Sequence, residues 1–306
     1  MVVSPKVSVC MITYGHEKYI REAIDGVFMQ ETNFEIELII ADDASPDGTK
    51  EIIASICKNH PKGNSIKYFR QDSNIGMMPN FVFALTKSEG EYVAVCEGDD
   101  YWIDSLKLQK QVDFLDAHKS YSSCFTDVKI LKNKITSETG ALKEKHKKDS
   151  DAISVFYNLW IPTLTFVYRR SALLEFPPQF EKVNNGDLFL FYLLAQKGAI
   201  KYLDFISGVY RQHENGVWTG ASKLSQINKS LVTLKEVKDY FKANIKIKKI
   251  IEQKIKEQNI SVLKYYYKQG KKSKFAKMFL KNVLHHPLIL LDKKLYFFIN
   301  KKRNEA

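Results

Sequence analysis

Apolar positions along the first 131 residues alternate between two periods. Val7 to Ile12, Ile36 to Ala41, Ile66 to Phe69 and Tyr92 to Cys96 are short runs rich in β-branched and aromatic residues, the pattern of buried strands. Between the first two, Glu17 to Gln30 places Tyr19, Ile20, Ala23, Ile24, Val27 and Phe28 at helical spacing. Asp47 to Lys58 predicts a second helix, with Pro46 at its opening and Asp47 near the positive end of its dipole. Met77 to Ser88 predicts a third helix and Asp104 to His118 a fourth, after which Ser122 to Leu131 returns to strand. Strands alternating with helices predict an α/β fold, a mostly parallel sheet flanked by helices. In such a sheet the ligand sits outside the carboxyl ends of the strands, where the chain order reverses.

Beyond residue 131 the pattern changes. Lys132 to Asp151 is polar and Lys-rich without an apolar period, which predicts a mobile surface loop. Then Ala152 to Trp160 reads as a short helix, Thr163 to Tyr168 as a strand, Asp187 to Lys197 as a helix and Ile200 to Tyr210 as a strand. From Lys223 the chain reads as three or four Lys-rich helices, with Leu224, Ile227, Leu231 and Leu234 on one face. The break near 215–225 divides the chain into residues 1–221 and a C-terminal α-helical extension, 222–306.

Charge sharpens that division. Residues 1–221 hold 25 basic and 29 acidic side chains, residues 222–306 hold 22 and 6, so the overall charge of +12 belongs to the tail. A footprint for an anionic partner is therefore sought in the extension alone. Its last segment, with Leu288 to Leu291 and Leu295 to Ile299 ahead of Lys301-Lys302-Arg303, fits an interfacial helix on an anionic membrane. Binding to anionic vesicles that survives deletion of 285–306 would refute that role. The apolar share of 44% and the aromatic share of 12% exclude a disordered chain. The four cysteines form no CxxC pair, which excludes a zinc knuckle or disulfide framework and implies reduced thiols. No signal peptide is expected ahead of the first strand, and the longest apolar stretch, Pro287 to Asn300, is broken by Asp292, Lys293 and Lys294. The expected location is cytoplasmic, with a peripheral seat on the inner face of the cell membrane open to the tail.

The strand-end loops carry the candidate chemistry. They read Thr13-Tyr14-Gly15-His16-Glu17, Asp42-Asp43-Ala44-Ser45, Arg70-Gln71-Asp72-Ser73-Asn74 and Glu97-Gly98-Asp99-Asp100. Asp99 and Asp100 repel unless neutralised, and a divalent cation, Mg²⁺ or Mn²⁺, is the natural partner. The plainer reading is a turn that caps the next helix. Asp43 can accept hydrogen bonds from a base N–H or a ribose hydroxyl, or cap the helix beginning near Pro46. Neither GxGxxG nor GxxxxGK[ST] is present, which argues against a nicotinamide-type fold and a P-loop NTPase.

Val7 to Tyr14, Ile40 to Thr49, Asn74-Ile75-Gly76 and Glu89 to Asp100 together resemble glycosyltransferase family 2, inverting nucleotide-sugar transferases of the GT-A fold, over about the first 220 residues. The resemblance implies a catalytic domain over 1–221, a nucleotide-sugar half to about 131 and an acceptor half from 132. It further implies a nucleotide pocket lined by Thr13, Tyr14, Glu17, Asp43, Asp72 and Asp99. Asp99-Asp100 would be the DXD-like pair, with Asp100 facing the metal. Asp187, in Asn184-Asn185-Gly186-Asp187, is the implied general base, although Gly186 stands where the family commonly has an acidic residue. The plainer alternative for Asp187 is a first-turn Asp on the helix dipole; Trp102, beside the acidic pair, either stacks under a sugar ring or, more plainly, fills the core under the loop. The segment Tyr210-Arg211-Gln212-His213 is similar to one that closes over the diphosphate, with Arg211 as phosphate clamp and His213 completing the metal shell. The implied partners are a nucleotide-sugar donor, UDP-sugar favoured, and a saccharide or lipid-linked saccharide acceptor in polysaccharide, lipopolysaccharide or capsule synthesis; no nucleic acid is expected.

Two other functions compete. A sugar-nucleotide pyrophosphorylase should show a Gly-rich, basic first loop, which Thr13 to Glu17 is not. A nucleic-acid-binding protein would use the basic tail, with affinity falling steeply in salt, and gives the paired carboxylates no purpose.

Overall fold

The computed structural model describes residues 4–157 and 160–285. Two compact units divide the chain, Met1–Glu181 with Gly186–Gly220, and Lys182–Asn185 with Ala221–Ala306.

In the first unit, β1 (Val7–Thr13), β2 (Ile36–Asp42), β3 (Ile66–Arg70) and β4 (Tyr92–Val95) form parallel pairs in the order β3-β2-β1-β4. The strand order reverses about β1, so the loops after β1 and β4 flank the expected ligand crevice. Helices α1 (Ile20–Phe28), α2 (Thr49–Asn59) and α3 (Met77–Thr86) make the crossovers. Val7, Val9 and Met11 of β1 and Leu38 and Ile40 of β2 pack with Ile20, Ala23, Ile24 and Val27 of α1 in one core. Covering both faces of the sheet is why these strands read as continuous apolar runs. Each fully buried Ile or Val contributes about 1.5–3 kcal/mol.

Past β4 the sheet becomes mixed. The two-residue β5 (Tyr101–Trp102) follows the acidic loop, α4 (Lys107–Ala117) leads into β6 (Tyr121–Lys132), and β7 (Ile135–Thr136) turns back on β6. β8 (Val167–Arg169) runs antiparallel to both β4 and β6. Helix α5 (Gly186–Ala195) precedes β9 (Ala199–Gln212), which pairs parallel with β6 and antiparallel with β5. That last pairing brings the end of β9 back to the acidic loop.

Three segments differ from their sequence reading. Thr163 to Thr165 is a 3₁₀ turn rather than the start of a strand, because Pro162 precedes it and the Thr165 hydroxyl donates to the Pro162 carbonyl at 2.8 Å. Between 152 and 160 only Ser154–Phe156 forms a 3₁₀ turn, held by Asp151, whose Oδ1 accepts the Ile153 and Ser154 N–H groups; residues 158–159 lie outside the described chain. The polar stretch after residue 132 is fastened by the buried Asp127, whose Oδ1 accepts the N–H groups of Val128, Ala141 and Leu142 at 2.8, 3.0 and 2.9 Å.

The second unit holds α6 (Lys223–Tyr240), α7 (Ile245–Lys268) and α8 (Lys272–His285). Ser222 and Asn244 cap the first two, their side chains accepting the Ser225 and Ile247 N–H groups. Ile227, Leu231 and Leu234 bury one face of α6, and Ile247, Ile251 and Ile255 one face of α7. The short strap 182–185 is pinned to α6 where the Thr233 hydroxyl accepts the Asn184 and Asn185 N–H groups at 3.0 and 3.1 Å. Among the described residues no helix is long and apolar enough to cross a membrane. The interfacial segment expected at 288–303 lies outside them.

Candidate active site

The loop after β4 is drawn tightly under the loop after β1. The Gly98 N–H donates to the Ile12 carbonyl at 3.0 Å, and a Cβ on Gly98 would lie 3.0 Å from the Thr13 hydroxyl and 3.1 Å from His16 Nδ1. Any larger residue would press on both side chains, so glycine suits this approach. On either side of it Glu97 and Asp99 stand half-buried, whereas Asp100 is only 3% exposed. Asp100 Oδ1 accepts the Arg211 backbone N–H at 2.7 Å. The carboxylate expected to face a metal is thus the one turned to the β9 backbone.

Arg211, expected to clamp phosphate, is committed to protein contacts. Its guanidinium donates to the Asp99 carbonyl at 2.7 Å, pairs with Glu22 and lies 4.4 Å from the Tyr101 ring centroid and 5.1 Å from that of Tyr19. These contacts fix the acidic loop. Beside it, His213 Nε2 is 3.0 Å from Asp99 Oδ2, and His16 Nε2 is 3.8 Å from the same oxygen. Four buried polar atoms around this point lack a partner, Thr13 Oγ1, His16 Nδ1, Glu97 Oε2 and His213 Nδ1. Buried polar groups are seldom left so, and their clustering marks a place that receives a ligand.

Proton affinities are displaced here. Burial, and after it the Asp99 charge, pushes the Glu97 carboxyl up to about 8. Burial with the charges of Asp99 and Glu97 holds Asp100 well above the carboxylate range. For Asp99 burial acts upward too, but the His213 hydrogen bond and the His16 imidazole outweigh it and keep the group below its usual value. One carboxylate is held ionised between two that resist ionisation.

The loop after β2 is built differently. Asp42 accepts the Ser45 N–H at 2.8 Å and the Tyr68 hydroxyl at 2.7 Å, with Arg70 Nε at 3.4 Å. Asp43 accepts the Ile75 and Gly76 N–H groups at 2.7 and 3.0 Å, which fastens the Asn74-Ile75-Gly76 turn. Next to it Ala44 takes φ 59°, a conformation that a non-glycine side chain adopts at a cost. Glu17 Oε2 accepts the Gly48 N–H at 2.9 Å, Tyr14 is 48% exposed, and Asp72 is exposed.

Asp187 opens α5. Its Oδ1 accepts the Leu188 N–H at 2.8 Å and its Oδ2 accepts the Thr163 hydroxyl at 3.3 Å. Burial raises its proton affinity, opposed by those two hydrogen bonds. The Glu97 carboxyl shares the Thr163 partner and feels the Asp187 charge. Glu97, His16 and Thr163 were not singled out as site residues by sequence reasoning. Glu97 had a signal, its place beside Asp99 in the acidic loop after β4. Thr163 had none, because a strand reading of 163–168 hides the turn.

Among the described residues, no three His, Cys, Asp or Glu side chains form a ready cation cage. The donor set nevertheless suits Mg²⁺ or Mn²⁺, since Glu97 keeps an unpartnered oxygen beside the ionised Asp99 and such ions complete their shells with substrate phosphates.

The family model for glycosyl transferase family 2 matches residues 8–175. The chain belongs to that family. It is 37% identical over 214 residues to the uncharacterized protein Rv1520 of Mycobacterium tuberculosis H37Rv, covering 70% of this chain and 61% of that one, so it spans less than two thirds of that relative. Among solved structures, Staphylococcus aureus TarS 1–349 in complex with UDP-GlcNAc aligns with TM-score 0.58 and 23% identity over 76% of this chain and 66% of its own. The mannosyltransferase PcManGT of Pyrobaculum calidifontis, in complex with GDP-Man and Mn²⁺, aligns with TM-score 0.61 and 16% identity over 97% and 86%. These likenesses carry the fold, a GT-A sheet, which this family 2 chain shares.

Proposed function

We propose that the chain is an inverting glycosyltransferase that moves a sugar from a nucleoside-diphosphate sugar to an acceptor hydroxyl with a divalent cation. The observation that carries the reading is that Glu97 of the acidic loop and the half-buried Asp187 share the Thr163 hydroxyl as partner. Glu97, Asp99 and His213 would hold Mn²⁺ or Mg²⁺, which when bound offsets charge on the leaving diphosphate. Thr13, after β1 at the switch point, faces the donor's nucleoside, while Asp43 fastens the Asn74-Ile75-Gly76 turn. Asp187 accepts the proton of the acceptor hydroxyl as its oxygen bonds the anomeric carbon and the bond from that carbon to the diphosphate oxygen breaks. Arg211 keeps Asp99 and Asp100 in register rather than touching phosphate.

A UDP-sugar is favoured, in keeping with the UDP-GlcNAc bound by TarS, and the acceptor is a saccharide or lipid-linked saccharide in cell-surface polysaccharide synthesis. The basic helices of the second unit support a peripheral seat on the anionic inner face of the membrane. The test is a thermal-shift panel of UDP, GDP, dTDP and CDP with and without Mn²⁺. One nucleotide should raise the melting midpoint only with Mn²⁺, and Asp99→Ala should abolish the rise. No shift with any nucleotide would overturn the reading.

A further inference from the structure

The 3₁₀ turn Thr163–Thr165 is held from three sides. Trp102, buried beneath the acidic loop, donates its Nε1–H to the Leu164 carbonyl at 2.6 Å. Gln111 Nε2 donates to the Thr165 carbonyl at 2.8 Å, and the Thr165 hydroxyl both donates to the Pro162 carbonyl and accepts the Thr126 N–H at 3.2 Å. Gln111 is itself set by Lys107, a buried lysine whose Nζ lies 2.7 Å from Gln111 Oε1 and 4.1 Å from the Trp102 ring centroid. The buried members of this network rigidify the turn. Its one polar side chain that faces the site is Thr163.

That hydroxyl stands between carboxylates from two elements, Asp187 of α5 and Glu97 after β4. We propose that Thr163 is a positioning residue that fixes the Asp187 carboxylate against the acidic loop, so that base and donor site keep one separation. The inference rests on the transferase reading above. A hydroxyl has a single proton to give, so it serves one carboxylate as donor at a time. Given to Asp187 Oδ2, with Oδ1 already occupied by the Leu188 N–H, it orients the carboxyl from both ends. A base displaced by 1 Å loses on the order of 100-fold in rate.

The experiment compares Thr163→Val, which keeps shape and removes the hydroxyl, with Thr163→Ser, which keeps the hydroxyl. Nucleoside diphosphate release is measured from whichever UDP-, GDP- or dTDP-sugar the wild type turns over with Mn²⁺, beside the Kd of the matching nucleotide. Thr163→Val should lower kcat on the order of 10- to 100-fold with nucleotide Kd and donor KM unchanged, and Thr163→Ser should recover most of it. Wild-type kcat in the Val variant, or equal losses in both variants, would overturn the inference while leaving the transferase reading intact. A Val variant that loses nucleotide binding as well would assign the hydroxyl to the fold instead, and overturn it. No release from any donor by the wild type would overturn the transferase reading itself.

Discussion

Asp42-Asp43 and Asp99-Asp100 are the same dipeptide at the ends of β2 and β4, on either side of β1, and the fold uses them in opposite ways. The first pair has its oxygens matched by the chain itself, through Ser45, Tyr68, Ile75 and Gly76. Around the second, Glu97 Oε2 and His213 Nδ1 stay unpartnered, and Glu97 and Asp100 resist ionisation beside an ionised Asp99. A matched pair fastens loops. An unmatched one stores unfavourable electrostatics that a cation and a diphosphate relieve, which is the price of a ready site.

The largest effect expected from this contrast lies at Asp187, which the Thr163 hydroxyl links to the unmatched cluster. Asp187→Asn should lower transfer by about 1,000-fold, within the range for losing a general base, and leave Mn²⁺-dependent nucleotide binding unchanged. Single-turnover transfer with nucleotide titration measures both. A loss below about tenfold would remove Asp187 from the proton transfer.

The second effect is pH dependence. Protons compete with a cation for Glu97, whose carboxyl is pushed by burial and the Asp99 charge up to about 8. Mn²⁺ affinity should therefore rise with pH, by up to about tenfold per unit, and level off above about 8. Glu97→Gln should flatten the slope. A flat profile in the wild type would place Glu97 outside the cation's shell and blur the contrast between the two pairs.

How far the sequence foretold this differs by region. The four parallel strands and their crossovers follow from periodicity because burial on both faces forces unbroken apolar runs. Sequence also brings the loops after β1, β2 and β4 to one end of the sheet. It does not say which way adjacent carboxylates turn. Asp99 and Asp100 differ because the antiparallel pairing of Tyr101-Trp102 with β9 delivers the Arg211 N–H to Asp100, a contact between residues 111 positions apart. Thr163 was hidden for a similar reason, since its turn is made by Trp102 and Gln111, both remote in sequence.

The smallest effect separates the pairs by stability alone. Asp42 is fully buried, and Asp42→Asn would set amide protons against the Ser45 N–H or against Tyr68 and Arg70. An unmatched buried donor costs about 1–3 kcal/mol, a fall in Tm of roughly 2–4 °C for each kcal/mol. Asp100→Asn keeps an oxygen for the Arg211 N–H and cannot take up the charge that burial, Asp99 and Glu97 oppose. Because the folded state raises the proton affinity of Asp100, the native protein holds a proton there that the unfolded chain gives up above about pH 3.9. Stability tied to Asp100 therefore declines as pH rises, and Asn is free of the decline. Asp100→Asn should raise Tm at pH 7 and bring no gain at pH 3.9, while Asp42→Asn lowers Tm at pH 7. Calorimetry of both variants at the two pH values measures the difference; an equal loss in both at pH 7 would mean that the two aspartate pairs are fasteners alike.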